Sequence, residues 1–302
     1  MESWWSGIAG PVHLDFLAGE EERKELYAAF LQYLISHERE WDILDLQAFR
    51  EDSPLKAAIS TAEGRWHVRE LQQCSFVSLP TSWEVFQDEQ MNRKLRKTIR
   101  YYERRLEKDF PGRVALQLPA NESELNQALD FLVSNSRRLF SRNEVASCFE
   151  NEGYCKFYQD MVQAAFRQGT LRFYQLKVND RIIAVQHCFS YKGIFYGYQT
   201  AYDPDWGKYS PGQQLLAHVF REAIREKAKE VDMSHGETDY KVRWATDARV
   251  DCHLLFVRNK RARLWLFGVR SFDRLVSFGR RVLSRELRQG LGRFVRARPS
   301  LN

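Results

Sequence analysis

Three strand-like segments joined by short turn signals constrain this chain more than any other feature. Leu171–Val178 and Arg181–Ser190 flank the dipeptide Asn179-Asp180, and Ile194–Tyr202 follows the turn at Lys192-Gly193. The segments are rich in β-branched and aromatic residues, and connections this short are typical of antiparallel hairpins. The sequence therefore predicts an antiparallel meander.

Helices and further strands surround this meander. Apolar residues at helical spacing or in short buried runs predict helices at Ser123–Phe140, Gly153–Gln168 and Ser210–Lys229, and strands at Arg113–Leu118, Glu230–Met233 and Val250–Val257. The predicted class is α/β (α+β), with a mixed, mainly antiparallel sheet flanked by helices.

The first 110 residues have the same α/β rhythm. Elements are predicted at Glu20–His37 (helix), Trp41–Leu46 (strand), from Pro54 (helix), and at Trp66–Leu71 and Cys74–Leu79 (strands). Thr81 followed by Glu84 is a capping-box pattern, which predicts one long basic helix from there to the break at Pro111-Gly112.

Composition excludes several classes of protein. With 44 % hydrophobic residues in 302, the chain can bury a sizeable core. Its five cysteines are odd in number and lack C-x-x-C spacing, so a reducing compartment is expected and a zinc site is not. The N-terminus lacks the layout of a signal peptide, and no run of eighteen apolar residues occurs. A cytoplasmic protein without a metal is predicted.

Charge is unevenly distributed along the chain. Residues 258–298 contain thirteen Lys or Arg but only two acidic residues, Asp273 and Glu286, so the net charge of this tail is +11. Because the net charge of the whole chain is +6, the rest of the chain has a net charge of −5. Apolar residues also recur at helical spacing in the tail, the pattern of a helix that lies on an anionic membrane or docks on its own domain. Both alternatives stay open.

The segment "YQTAYDPDWGKYSPGQQLLAHVFREAIREKA" leads from a strand through a polar loop into an amphipathic helix. Ser210 is predicted to cap this helix, Pro211 suits its first turn, and Gly212 allows close approach to the backbone. Amide donors and the helix dipole would converge there on an anion such as a pyrophosphate. The alternative is an ordinary capped helix. Neither a G-x-x-x-x-G-K-[ST] loop nor a G-x-G-x-x-G fingerprint occurs.

A second segment, "VDMSHGETDYKVRW", follows the next strand and concentrates acid–base groups. Strand ends that face a ligand crevice often carry such groups, although a solvated loop is the alternative. H-E-x-x-H and G-x-S-x-G motifs are absent, and His13, His37 and His67 lack ligand-spaced partners.

Together, "AYDPDWGKYSPGQQLL", "REAI", "EVDMSHGE", "YKVRW" and the upstream "RKLRKTIRYYERRLEKD" resemble the CelD/BcsL-like branch of the GNAT acyltransferases, relatives of the FemAB peptidyltransferases. The resemblance covers about residues 41–249. It implies a GNAT-like domain at 81–257, preceded at 1–80 by a second GNAT-like half that lacks its opening strands and followed by the basic tail at 258–302. Two departures are the short first half and a loop that differs from [QR]-x-x-G-x-[GA].

This resemblance implies transfer of an acyl group, with acetyl as the default, from acyl-CoA to an amine by direct attack in a ternary complex. The backbone of Tyr198, Gln199, Thr200 and Ala201 would polarise the thioester carbonyl, and the loop Tyr209, Ser210, Pro211, Gly212 and Gln213 would hold the pyrophosphate. Glu237 is the first candidate for the base and His235 the second. Lys241 would stabilise the oxyanion, Tyr240 would protonate the thiolate, and Asp232 is assigned a structural role.

Two other functions stay open. One is a Fem-like transferase that uses aminoacyl-tRNA, which would give the basic helix an anionic partner; the other is a non-catalytic GNAT-shaped scaffold in envelope or polysaccharide assembly. Outside the tRNA alternative, nucleic acid binding is not predicted, because Glu103 and Glu107 suggest that the basic helix forms a solvated, salt-bridged face.

Overall fold

The computed structural model describes His13, Gly19, residues 21–61, 66–142, 146–236 and 239–268, and Ser271. The chain divides into two compact units. The smaller comprises Met1–Ser6, Leu14–Glu70 and Cys252–Asn302, and the larger comprises Gly7–His13 and Leu71–Asp251. The division expected from the sequence, at residues 80 and 257, remains a prediction.

The smaller unit contains α1 (Arg23–Ser36), β1 (Ile43–Arg50), α2 (Pro54–Thr61) and a helix over 260–268. Strand β1 pairs with the last of the described strands, β8 (Asp247–Val257). Leu255, Val257 and Ala262 form its apolar cluster, against which Ile43 and Leu266 pack. The start of the predicted tail is thus part of this core.

The larger unit contains the remaining helices and strands. They are β2 (Trp66–Ser78, which begins in the smaller unit), α3 (Trp83–Val85), α4 (Arg93–Asp109), β3 (Val114–Gln117), α5 (Glu122–Arg142), α6 (Glu152–Arg167), β4 (Leu171–Val178), β5 (Arg181–Tyr191), β6 (Ile194–Tyr202), α7 (Pro211–Arg225), β7 (Glu230–His235) and α8 (Asp239–Trp244). Its strands lie in the order β8-β2-β7-β6-β5-β4-β3.

The predicted meander is confirmed. Strands β3 to β6 pair antiparallel with their neighbours in sequence. Asn179 and Asp180 both have positive φ, at 50° and 61°, as a tight hairpin turn requires. Among the described pairings from β2 to β3, β2 pairs antiparallel with β7, and β6 and β7 are the parallel pair, connected by α7. The mixed, mainly antiparallel sheet flanked by helices agrees with the predicted fold class.

Neighbouring residues on the meander strands face two different cores, as the period of two along a strand requires. Tyr174 and Ala184 lie in one core with residues of α4 and α7, and Phe173 and Val185 lie in the other with residues of α5 and α6.

Among the described helices, none combines the length and the hydropathy needed to cross a membrane.

Three predicted element boundaries are wrong. The strands expected at Trp66–Leu71 and Cys74–Leu79 are one strand, β2. The long helix expected from Thr81 is broken: Ser82, not Thr81, caps α3, and Phe86–Gln90 is a π-helical turn. Asn92 then caps α4 by accepting a hydrogen bond from the Leu95 N–H at 2.8 Å. The segment after β7, for which a solvated loop is the alternative from the sequence, contains helix α8.

Candidate functional site

Strands β6 and β7 separate from each other at Gly197. They pair over only three residue pairs, the last of which joins Tyr196 to Asp232. A Cβ on Gly197 would lie 3.2 Å from the backbone carbonyl oxygen of Asp232, closer than ordinary contact. Glycine therefore permits the close approach of the two strands at the point where they divide. We call this point the fork.

On its other edge, β6 carries a bulge next to the fork. His187 pairs with Gln199 and Cys188 with Gly197, so Tyr198 is the extra residue on β6. Bulges redirect side chains and occur often beside functional sites. The Tyr198 ring stacks on Tyr158, with ring centroids 5.9 Å apart. The bulge thus fixes Tyr198 at the wall of the cavity described below.

A 3-10 turn, Pro204–Tyr209, leads from β6 to α7 and is held by buried Asp203. One carboxylate oxygen of Asp203 accepts hydrogen bonds from Arg138 and the Asp205 N–H, both at 3.1 Å. The other accepts from Arg181 at 2.7 Å. Because Asp203 is 1 % exposed and all these bonds converge on it, the loop has a fixed geometry.

Helix α7 begins in an unusual way. Ser210 has left-handed backbone angles, φ 49° and ψ 53°, and its side chain makes no capping hydrogen bond, so the predicted side-chain cap is wrong. Instead, the Ser210 carbonyl accepts from the Gln213 N–H at 3.1 Å, and the Gln214 side chain donates to the Tyr209 carbonyl at 2.8 Å. The Ser210 hydroxyl is not used as the helix cap.

Beyond the fork lies a cavity of about 580 Å³, a volume within the range of small-molecule sites. Its walls come from the end of α5, from β6, from the start of α7 and from the end of β7 with α8. They include Leu139, Phe140, Cys148, Gly197, Tyr198, Gln199, Thr200, Ser210, Pro211, Gly212, Gln213, Asp232, Ser234, His235, Tyr240 and Lys241.

Lys241 brings a buried amine to this cavity. Lys241 is 8 % exposed. Its Nζ donates one hydrogen bond to the His235 carbonyl at 2.6 Å and another to the Ser234 carbonyl at 3.4 Å. Neither acceptor is charged, and within the described residues Lys241 forms no ion pair. Burial therefore lowers the pKa of Lys241 to about 8. Burial and the Lys241 charge also lower the pKa of His235.

His13 holds the buried carboxylates near the fork. Its Nε2 lies 2.9 Å from Asp232 Oδ2, and its Nδ1 lies 2.8 Å from Asp251 Oδ1. Burial alone would lower the pKa of His13, but these two carboxylates outweigh it and raise the pKa to about 9. The bridging imidazolium, together with the Ser234 N–H and Arg249, lowers the pKa of Asp232 although burial opposes this. Asp232 is thus held in an ion-pair network, and the structural role expected for it remains a prediction.

The side chains around His13 include three atoms of the kinds that bind metal ions. His13, Cys74 and Asp251 each offer one ligand atom, and these atoms lie within 4.8 Å of one another. The Cys74 Sγ lies 3.5 Å from Asp251 Oδ2, and burial raises the pKa of its thiol. Both ring nitrogens of His13 are engaged by carboxylates, so the arrangement is that of an ion-pair network. The expectation that the protein uses no metal stays a prediction.

The structure brings most of the predicted site residues to one cavity. Ten of them line it: Tyr198, Gln199, Thr200, Ser210, Pro211, Gly212, Gln213, His235, Tyr240 and Lys241. Ala201 is buried in the α5–α6 core, and Tyr209 is buried with its hydroxyl donating to Asp109 at 2.8 Å. Glu237 lies outside the described residues. The assigned roles remain predictions.

Three features of the site are not among the predictions from the sequence. His13 is more than 200 positions from its carboxylate partners, and no local pattern marks it. Leu139, Phe140 and Cys148 form an apolar wall, but their spacing is indistinguishable from that of a core helix and the turn that follows it. Gly197 carried a usable signal, because an isolated glycine in a strand often marks a bulge or a close backbone approach.

Comparison with known proteins agrees with this architecture. The model of the family described as "Acetyltransferase (GNAT) domain" matches residues 93–242. No curated protein sequence matches the chain.

Several solved structures are similar in fold. FemX has a TM-score of 0.60 at 9 % identity, over 82 % of this chain and 80 % of FemX. The C-terminal domain of a putative lysylphosphatidylglycerol synthetase from Agrobacterium fabrum has a TM-score of 0.55 at 12 % identity, over 83 % of this chain and 78 % of that domain. L-PGS from Bacillus licheniformis has a TM-score of 0.51 at 14 % identity, over 82 % of this chain and 78 % of L-PGS.

At these identities the similarity to solved structures shows the fold alone. The relation to acetyltransferases comes from the family match. The fork, the start of α7 and all the described walls of the cavity fall within the matched range. Residues 93–242 therefore match the family of GNAT acetyltransferase domains, and the mixed sheet flanked by helices agrees with the GNAT-like fold.

Proposed function

We propose that this protein is an N-acyltransferase that transfers an acyl group, with acetyl as the default, from acyl-CoA to an amine. The observation that carries the proposal is the fork at Gly197, which opens into a cavity ending at the start of α7. A long thioester needs such a cleft, because its reactive end must be buried while its phosphates stay near solvent. The assignment to the CelD/BcsL-like branch belongs to the same proposal.

The start of α7 supports binding of the pyrophosphate. Ser210, Pro211 and Gly212 all line the cavity at the start of α7, and the Ser210 side chain makes no capping hydrogen bond there. The positive end of the helix dipole favours an anion here. The backbone of Tyr198–Ala201 is proposed to bind the thioester arm on the opposite wall.

Lys241 and Tyr240 are proposed to assist the chemistry. As the amine attacks the carbonyl carbon, a C–N bond forms and negative charge develops on the oxygen. An ammonium with neutral carbonyl partners can stabilise that charge in a site of low dielectric. When the C–S bond breaks, the thiolate takes a proton, for which the Tyr240 hydroxyl is the proposed donor.

The base that removes a proton from the incoming ammonium is Glu237 or His235. His235 lines the cavity, and its lowered pKa leaves it neutral at pH 7 and able to accept a proton. Glu237 follows two residues later. We keep Glu237 as the first candidate because a carboxylate would also attract a cationic acceptor.

The first test is acetyl-CoA binding by calorimetry to Gly212→Asp, which places negative charge at the second residue of α7. The loss of one charge-assisted contact should weaken binding at least about tenfold. Gly153→Asp is the matched control, since Gly153 is the second residue of α6 and is exposed. Equal affinities of Gly212→Asp and the wild type would remove the pyrophosphate from this position.

A Fem-like transferase that takes its residue from aminoacyl-tRNA is the second candidate. The fold similarity to FemX and L-PGS and the exposed basic face of α4 support it. Binding to charged tRNA with strong salt dependence, in a protein that does not bind acyl-CoA, would favour it. A non-catalytic scaffold would bind neither.

Localisation is part of the proposal. We propose that the protein works in the cytoplasm and that its basic tail contacts anionic membrane peripherally. The charge of the tail supports this.

A further inference from the structure

Helix α4 carries a stripe of exposed cations along the face opposite its core. At 100° per residue, these side chains fall within about 80° of arc and extend about 22 Å along the helix. They are Arg93, Lys97, Arg100, Arg104 and Lys108, all exposed, while Leu95, Ile99 and Leu106 are buried on the other side. We call these five residues the α4 stripe.

Glu103 and Glu107 do not pair with the α4 stripe. The sequence suggests a solvated, salt-bridged face on this helix, and the structure gives both carboxylates other partners. Glu103 pairs with Arg221 of α7 at 2.7 Å, and Glu107 accepts from the Gly112 N–H at 2.8 Å. Arg100 donates to the neutral Gln87 side chain at 3.3 Å. Within the described part of the chain, no member of the stripe forms an ion pair.

This arrangement costs helix stability, because like charges three or four residues apart repel each other. Arg93 with Lys97, Arg100 with Arg104, and Arg104 with Lys108 are all such pairs. A surface that is only solvated needs no such repeat. A polyanionic partner would turn the repulsion into attraction.

The shape of the stripe indicates which polyanion fits. Successive cations are about 6 Å apart along a single line. A line of charge matches a chain of phosphodiesters, whereas a membrane presents a plane of charge. Tyr101, 55 % exposed, lies at the edge of the stripe, where its ring can stack on a base. Its hydroxyl lies 3.4 Å from Arg105 Nη1.

We propose that the α4 stripe binds the phosphate backbone of a single-stranded nucleic acid and that Tyr101 stacks on one of its bases. Arg105 donates to the Lys208 carbonyl at 3.2 Å, so α4 packs beside the loop that leads to the start of α7. A strand on the stripe therefore runs close to the loop beside the cavity. This proposal does not depend on which acyl donor the cavity accepts.

The test compares two full-length triple variants of equal net charge. Lys97→Gln/Arg100→Gln/Arg104→Gln removes the middle of the stripe, and Arg113→Gln/Lys192→Gln/Lys227→Gln removes three exposed cations elsewhere in the larger unit. Fluorescence anisotropy of labelled 20-nucleotide single-stranded RNA and DNA is measured at several salt concentrations. The basic tail is present in both variants, so its contribution cancels in the comparison.

Binding by the stripe variant should weaken at least tenfold relative to the control variant. The slope of log K against log salt should fall by about 2, since each phosphate contact on a single strand contributes about 0.7. Tyr101→Leu should weaken binding at least about fivefold with an unchanged slope, which a purely electrostatic surface would not show. RNA binding much tighter than DNA binding would identify the sugar that is recognised.

Equal slopes for the two triple variants would overturn the proposal. So would a stripe variant that loses binding to anionic vesicles while its RNA binding matches the control. Acetyl-CoA calorimetry on both variants separates this outcome from failure of the proposed catalytic function, because neither triple alters a residue that lines the cavity.

Discussion

The backbone carbonyl oxygen of Asp232 lies 3.2 Å from the position that a Cβ on Gly197 would occupy. This close approach sits where β6 and β7 stop pairing and the cavity begins. Gly197 therefore permits the close approach of the two strands at the end of their pairing, and any larger side chain at this position would change the width of the cleft.

Gly197→Ala should destabilise the protein, although most Gly to Ala changes at compatible sites stabilise by reducing the entropy of the unfolded chain. The added methyl must push β6 away from β7, which we expect to cost about 1 to 3 kcal/mol in the free energy of unfolding. Gly207→Ala is the control, since nothing lies within 4 Å of a Cβ there. Urea denaturation gives both values, and equal midpoints for the two variants would contradict the role of Gly197.

The bridge from His13 to Asp232 and Asp251 predicts how stability depends on pH. The folded pKa of His13, about 9, exceeds its ordinary value of 6.5, so the stabilisation is complete below about pH 6.5 and is lost as pH rises through 9. Its size is about 3 kcal/mol. Lys241 acts in the opposite sense, because its lowered pKa makes it destabilising below about pH 8.

The difference between wild type and His13→Gln therefore isolates the bridge. Free energies of unfolding should differ by about 3 kcal/mol at pH 6.5 and should approach each other near pH 10. A difference that stays constant over this range would show that His13 contributes by packing alone. His37→Gln, on a half-buried histidine of the smaller unit, is the control.

How much of this site could be predicted depends on how local each signal is. Ile194–Tyr202 was predicted with the observed boundaries, because tight turns and alternation are encoded within a few residues. The break between Val85 and Arg93 was missed, because helical propensity continues through a segment where Met91 turns its side chain into the core. The His13 bridge could not be predicted, since it joins residues more than 200 positions apart.

Lys241→Gln should lower kcat about a hundredfold while the dissociation constant for acetyl-CoA changes less than about threefold, as expected for a group that stabilises charge only in the transition state. Lys208→Gln, on an exposed lysine of the loop before α7, is the control. The wild-type kcat should also decline as pH rises through about 8, where Lys241 loses its proton. An unchanged kcat in Lys241→Gln would remove this residue from the mechanism.

Glu237→Gln is nearly isosteric and should lower kcat about a hundredfold with acetyl-CoA affinity retained, as expected for loss of a general base. His235→Gln should then have a small effect. If the two results are exchanged, the base is His235, and its lowered pKa should appear as an acidic limb of the kcat profile below pH 6.5. Wild-type rates in both variants would rule out both assignments.

Removal of residues 272–302 should separate membrane binding from catalysis. This segment carries eight of the thirteen basic residues of the tail and lies outside the described residues. The cut leaves Leu266 in its cluster and Arg258 paired with Asp42, so the smaller unit keeps these contacts. At about 1 kcal/mol per basic residue near an anionic surface, a few engaged arginines suffice for reversible binding.

The shortened protein should keep its melting temperature and acetyl-CoA affinity but should no longer sediment with phosphatidylserine vesicles at low salt. The full chain should sediment, and 0.5 M salt should release it, because screening shortens the reach of the attraction. Replacing the eight basic residues by Gln in the full chain should give the same loss. A shortened protein that melts well below the full chain would show that the segment packs on the folded core, which would contradict a role at the membrane.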